Sequence, residues 1–301
     1  MCDKKIIQGP SHRPNIIALV VLLYWLFIPE YVLIPHVIVR IENLLGGQVT
    51  GFAWTALLWF LRLGVPIAGY VIYLLFAKKR LIPAFSIARL PLVTALYIVV
   101  LTAAIRAVDL LAIKFIPFAL GSVPVWHGSP LWQALIVSVL FAVLYEEFIF
   151  RGFLYSEYQN QRVSIWKTAL ATGLFFGLIH SGIAVFTTAA FGIIWAYMLY
   201  RTRSIWAPVL SHAVYNALGT LLNPMYYTGS QADYEALMSA FLIAVAIAAV
   251  ILVPLAVICA KRFFAENPRE KDVLPVESKA FTWTYWALII VMIAAIFIFR
   301  I

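Results

Sequence analysis

Residues 131–158 read LWQALIVSVLFAVLYEEFIFRGFLYSEY, a run with no charge until Glu146 and then Glu146, Glu147 and Arg151 in close succession. The bilayer core takes about 20 apolar residues per helical crossing. An ionised side chain inside it costs at least ~2.5–3.5 kcal/mol on insertion scales, so such groups have partners or functions. The run therefore reads as a membrane helix that carries charge for a reason.

Apolar stretches of similar length recur on both sides, at about 16–35, 53–77, 91–116, 164–181, 184–200, 205–222, 236–260 and 281–299. The chain is thus expected to be all-α, a polytopic transmembrane helical bundle of about eight or nine membrane spans. Its composition agrees, with 64% hydrophobic and 12% charged residues and a mean hydropathy of +0.96, against roughly 45–50% and 25% in soluble domains. The polar, basic N-terminal residues lead into a run long enough to span and without a small-residue cleavage site, so no secretory signal peptide is expected.

The net charge of +9 does not point to nucleic acid, because the basic residues are scattered among short loops as membrane topology demands. With the N-terminus cytoplasmic, the inner segments hold Lys4, Lys5, Arg13, Lys78, Lys79, Arg80, Arg89, Arg162, Lys167, Arg201, Arg203, Lys261, Arg262, Arg269, Lys271 and Lys279. The outer side receives only Arg40, Lys114 and Arg300. That asymmetry sets the expected orientation. Trp132, Trp166, Trp206 and Trp283 fall near span ends, where they read as interfacial anchors. Ser181, Gly182 and Ile183 read as a tight turn between the fifth and sixth spans. Residues 261–280 read as a cytoplasmic connector before a last, peripheral span. Cys2 and Cys259 provide neither a disulfide framework nor a Cys-based zinc site.

Charges also fall in the third and second spans. Asp109 follows Arg106 by three residues, which places both on one helix face as a structural pair, whereas Arg62 has no local partner. In the fourth span Glu147 and Arg151 are four apart and face one another, while Glu146 points about 100° away. Arg151 therefore neutralises Glu147 and leaves Glu146 without a local counter-ion. A carboxylate left in that condition is a candidate general base.

Two later helices carry matching polar groups. Phe176 and His180 are four apart in the fifth span, and His212 and Asn216 are four apart in the seventh, so each pair shares a face. His36 and His127 fall in expected outer loops and His12 in the N-terminal segment. Ser181 and Ser211 flank the histidines without a G-x-S-x-G elbow, and neither the H-E-x-x-H signature nor a Gly-rich phosphate loop is present.

Glu146-Glu147-x-x-x-Arg151, Phe176-x-x-x-His180 and His212-x-x-x-Asn216, in that order on successive apolar helices, resemble the three signature motifs of the CPBP intramembrane proteases. This is the family of type II CaaX prenyl endopeptidases and bacteriocin-processing (Abi) proteins. The resemblance covers about residues 130–220. It implies that Glu146, helped by His180, activates water, that His212 and Asn216 stabilise the oxyanion, and that Glu147 and Arg151 hold the site's shape. Phe176 is a supporting residue. With the flanking apolar stretches, which the resemblance does not cover, the chain is expected to divide into N-terminal membrane helices at 1–130, a catalytic core at 131–222 and C-terminal membrane helices with the connector at 223–301.

The expected activity is intramembrane hydrolysis of a peptide bond by glutamate-activated water, with a peptide or lipid-modified protein segment as substrate and membrane lipids as surroundings. No cofactor is expected. The alternative is a zinc metalloprotease with Glu146, His180 and His212 as ligands. The metal-free reading is preferred because zinc would consume the base, and because neither histidine shows an evident carboxylate to fix its tautomer. A non-catalytic scaffold or regulator on the same fold would be expected to lose motif residues, and all three motifs are intact. A transporter would show an internal repeat, and none is found. Counted from the expected inner span ends, His212 lies shallower than His180, so a shared site requires tilt or a ragged helix start.

Overall fold

A computed structural model describes residues 34–45, 51–76, 87–115, 130–160, 163–180, 184–223, 227 and 231–267, with 283, 285–287, 289, 290 and 293. The first expected span up to residue 33, the turn at Ser181 to Ile183, His12, His127, Cys2 and residues 268–280 lie outside the described residues. So does the Arg62 side chain.

The described residues are helical. They form α1 (Ile34–Leu45), α2 (Phe52–Phe76), α3 (Leu92–Phe115), α4 (Leu131–Asn160), α5 (Ile165–Leu178), α6 (Ala184–Thr202), α7 (Trp206–Leu221) and α8 (Gln231–Glu266). An isolated antiparallel bridge, Ile87 to Ser204, is the extended pairing among them. Leu92–Ala112, Leu131–Asn160 and Glu235–Glu266 are long and apolar enough to cross a membrane by length and composition. The helices from α2 to α8 coincide with the expected apolar stretches.

Two expectations are corrected. Residues 36–45 were expected as loop and instead belong to α1, which carries an exposed His36. The residues expected to open a connector at 261 instead continue α8 through Lys261 and Arg262 to Glu266. At 1.5 Å per residue α8 is about 54 Å long, well beyond a ~30 Å hydrocarbon core. Its Ile243, Ile247, Val250 and Ile251 are exposed, as befits a lipid-facing surface. Trp132, Trp166, Trp206 and Trp283 are exposed as well.

The last segment is tied into the bundle rather than peripheral at one point: Tyr285 is fully buried, 4.9 Å from the Phe175 ring of α5.

Helix α4 starts where Pro130 leaves its carbonyl to accept the amides of Gln133 and Ala134. Its backbone then widens to π-helical turns over Ile136–Phe141 and Phe148–Tyr155, on either side of the α-helical Ala142–Glu147. Such turns often mark functional sites.

Helices α5 and α6 form an antiparallel hairpin whose contact is made by glycine. A Cβ on Gly192 would sit 2.8 Å from the Gly173 Cα, and one on Gly177 would sit 2.5 Å from the Val185 carbonyl. Only the lack of side chains lets these backbones approach so closely. Helix α7 packs against α3, α4 and α6, and α8 packs along α3. The core gathers where these helices meet, around Ile98, Phe150, Phe176 and Trp195.

Candidate active site

The Arg151 guanidinium, 1% exposed, donates from Nη1 to Glu147 Oε1 at 3.2 Å and from Nη2 to the Gly192 carbonyl at 3.1 Å. Its carbon lies 4.7 Å from the centre of the Phe176 ring. The expected i, i+4 pair is therefore present, and glycine at 192 lets α6 bring a carbonyl to it.

The same Glu147 Oε1 accepts a second bond, from His212 Nδ1 at 2.8 Å. This corrects the expectation that neither histidine has a carboxylate to fix its tautomer. The partner comes from another helix, so no local spacing could reveal it. A carboxylate only accepts, hence Nδ1 carries hydrogen and Nε2 faces the opposite way. On that side Glu146 Oε2 lies 3.7 Å from Nε2, beyond hydrogen-bond length. Among the described residues, Glu146 Oε2 is buried without a hydrogen-bond partner, as is Glu147 Oε2. His212 thus stands between the two glutamates, bonded to one and facing the other.

His180 sits just past the last turn of α5. Its backbone N–H bonds the Gly177 carbonyl at 2.9 Å, and its Nδ1 donates to the Phe176 carbonyl at 2.8 Å. In the neutral ring this leaves Nε2 as the acceptor. The Phe176 ring contacts both imidazoles, 4.9 Å from His180 and 5.9 Å from His212, centre to centre. Both histidines thus lie against one aromatic ring. Asn216 donates from Nδ2 to the Ser138 carbonyl of α4 at 2.8 Å. Its amide has a second N–H.

Residues 128–218 match the family model described as type II CAAX prenyl endopeptidase Rce1-like. The segment is similar to a CAAX protease family domain. It contains Glu146, Glu147, Arg151, Phe176, His180, His212 and Asn216, and it spans α4 to most of α7. No curated protein and no solved structure matches the chain.

No group of three or more His, Cys, Asp or Glu side chains arranged to hold a metal ion occurs among the described residues, Glu146, His180 and His212 included.

The Arg106–Asp109 pair is also present, and it gains a member that spacing did not reveal. Tyr215 of α7 accepts from Arg106 Nη1 at 2.8 Å and donates to Asp109 Oδ2 at 2.6 Å. The guanidinium lies over the Tyr215 ring, its carbon 4.3 Å from the centre. This triad pins α7 to α3 one residue before Asn216.

Proposed function

We propose that this chain is an intramembrane endopeptidase that hydrolyses a peptide bond with water activated by Glu146. The observation that carries the reading is the contrast between the two adjacent glutamates. Glu147 accepts through Oε1 from both Arg151 and His212, whereas Glu146 faces the same imidazole at 3.7 Å and, among the described residues, makes no hydrogen bond; the Oε2 of each is buried without one. One carboxylate is committed to structure and its neighbour is free to take a proton.

In this mechanism Glu146 removes a proton from water, whose oxygen bonds to the scissile carbonyl carbon. His180 assists through Nε2, the acceptor left by its Nδ1 bond to Phe176. Charge develops on the carbonyl oxygen, where His212 Nε2–H and the second N–H of Asn216 donate to it. For Nε2 to donate, the ring carries both protons, and the two glutamates at its edges offset that charge. As the C–N bond breaks, Glu146 returns its proton to the leaving amine. Loss of one such oxyanion donor costs about 10²–10³ in rate, the loss expected for Asn216→Ala.

The substrate class is a prenylated or other peptide segment reaching the site from lipid or from the cytoplasm. The proposed setting is a bundle of about eight or nine spans with a cytoplasmic N-terminus. The proposed catalytic core is 131–222, flanked by membrane helices at 1–130 and 223–301.

The test uses purified protein in detergent with internally quenched peptides bearing a C-terminal CaaX sequence, farnesylated and unmodified. Glu146→Ala, His180→Ala and His212→Ala are each expected to abolish cleavage while the protein remains folded. Normal turnover by Glu146→Ala would remove that residue from the mechanism. Chelator-sensitive turnover with stoichiometric zinc in the active protein would replace the metal-free mechanism.

A further inference from the structure

Trp195 belongs to none of the three motifs, yet its indole stacks on His212 with ring centres 4.1 Å apart and planes 22° apart. It is 2% exposed. Its Nε1–H donates to Ser211 Oγ at 2.8 Å, and Ser211 Oγ lies 2.7 Å from Thr102 Oγ1. Thr102 Oγ1 in turn donates to the Ile98 carbonyl at 2.7 Å. The direction of this chain follows from chemistry. An indole N–H can only donate, and the single hydroxyl proton of Thr102 is committed to Ile98. Ser211 therefore accepts from Trp195 and donates to Thr102, and the relay runs one way from α6 through α7 to α3.

Thr102 and Ser211 are buried as well. Removing either hydroxyl leaves a buried donor unmatched, so the relay holds the twist of the indole against rotation. That matters because the face of the indole sets the plane of the His212 imidazole, while Glu147 sets the direction of its Nδ1. Together they leave Nε2 one bearing. The guanidinium carbon of Arg151 lies 5.3 Å from the same indole, so Trp195 covers both groups that donate to Glu147.

We propose that Thr102, Ser211 and Trp195 are positioning residues that fix the imidazole plane of His212, so that α3, outside the matched segment, takes part in the reaction. The kinetic part of this proposal rests on the endopeptidase reading, and the geometric part does not.

The two parts are tested together on purified, histidine-labelled protein in detergent. The His212 ring protons, assigned by their loss in His212→Gln, carry an upfield ring-current shift from the stacked indole. Thr102→Val keeps the side-chain volume and deletes the hydroxyl, and Thr102→Ser restores the hydroxyl. In Thr102→Val the His212 signals are expected to move toward unstacked values. On a farnesylated quenched CaaX peptide its kcat is expected to fall about tenfold at unchanged KM, as a small misplacement of a reacting group does.

Thr102→Ser is expected to return both readouts to the parent values. Should Thr102→Val fail to fold, Ser211→Ala is read in the same way. Unmoved His212 signals in a folded variant overturn the proposal, and so do moved signals with unchanged kcat. If the parent protein cleaves no peptide, the endopeptidase reading fails, and the resonance comparison alone decides the relay.

Discussion

Oε1 of Glu147 accepts from both Arg151 and His212, inside a site where neither cation nor carboxylate reaches solvent. Deleting the carboxylate would strand a fully buried guanidinium, a change that costs about 3–5 kcal/mol where one partner of a buried pair is removed. Glu147→Leu is therefore expected to lose about that much stability in a denaturing-detergent titration. The double variant with Arg151→Leu is expected to recover much of it, since an apolar pair of similar volume needs no counter-charge. A double variant as unstable as the single one would contradict this. The Glu147–Arg151 pair was legible in the sequence because both residues lie on one helix at i, i+4. The Glu147–His212 bond was not, because it joins residues 65 apart through tertiary packing. Trp195 was less legible still. An aromatic residue within an apolar span reads as core, and nothing in its spacing links it to His212.

Elements were legible wherever hydropathy alone determines them, which is why the helices from α2 to α8 fall on the expected runs. Helix α1 was missed because it is too short to span and its polar positions read as loop. The π-helical turns of α4 leave no hydropathy signature, since only the backbone bonding changes. The α5–α6 hairpin depends on a feature the sequence shows only as scattered glycines. An alanine at Gly192 would place its Cβ 2.8 Å from Gly173 Cα and 3.1 Å from its carbonyl oxygen. Gly192→Ala is expected to destabilise the protein by about 1–3 kcal/mol, as overpacking does. It should also weaken the Arg151 bond to the Gly192 carbonyl and lower turnover. A variant with the parent's stability would show that the hairpin has slack not evident in its packing.

For the whole molecule, the distribution of lysine and arginine leads to a testable orientation. In a background carrying Cys2→Ser and Cys259→Ala, an impermeant maleimide is expected to label Tyr227→Cys in intact expressing cells and Lys261→Cys only in inverted vesicles. The reverse pattern would place the N-terminus outside. At this scale the motifs were legible from α4 to α7, and the matched segment 128–218 covers the same ground. The contribution of α3 was not, because Thr102, Arg106 and Asp109 acquire their partners on α7 only once the bundle has assembled. The proposed mechanism turns on a single proton. Glu146→Gln keeps the shape of the side chain but cannot take that proton from water, so turnover of the farnesylated peptide by the folded variant measures the role of Glu146 as base directly. Its kcat is expected to fall by about 10²–10⁴. Turnover within a few-fold of the parent protein would contradict it.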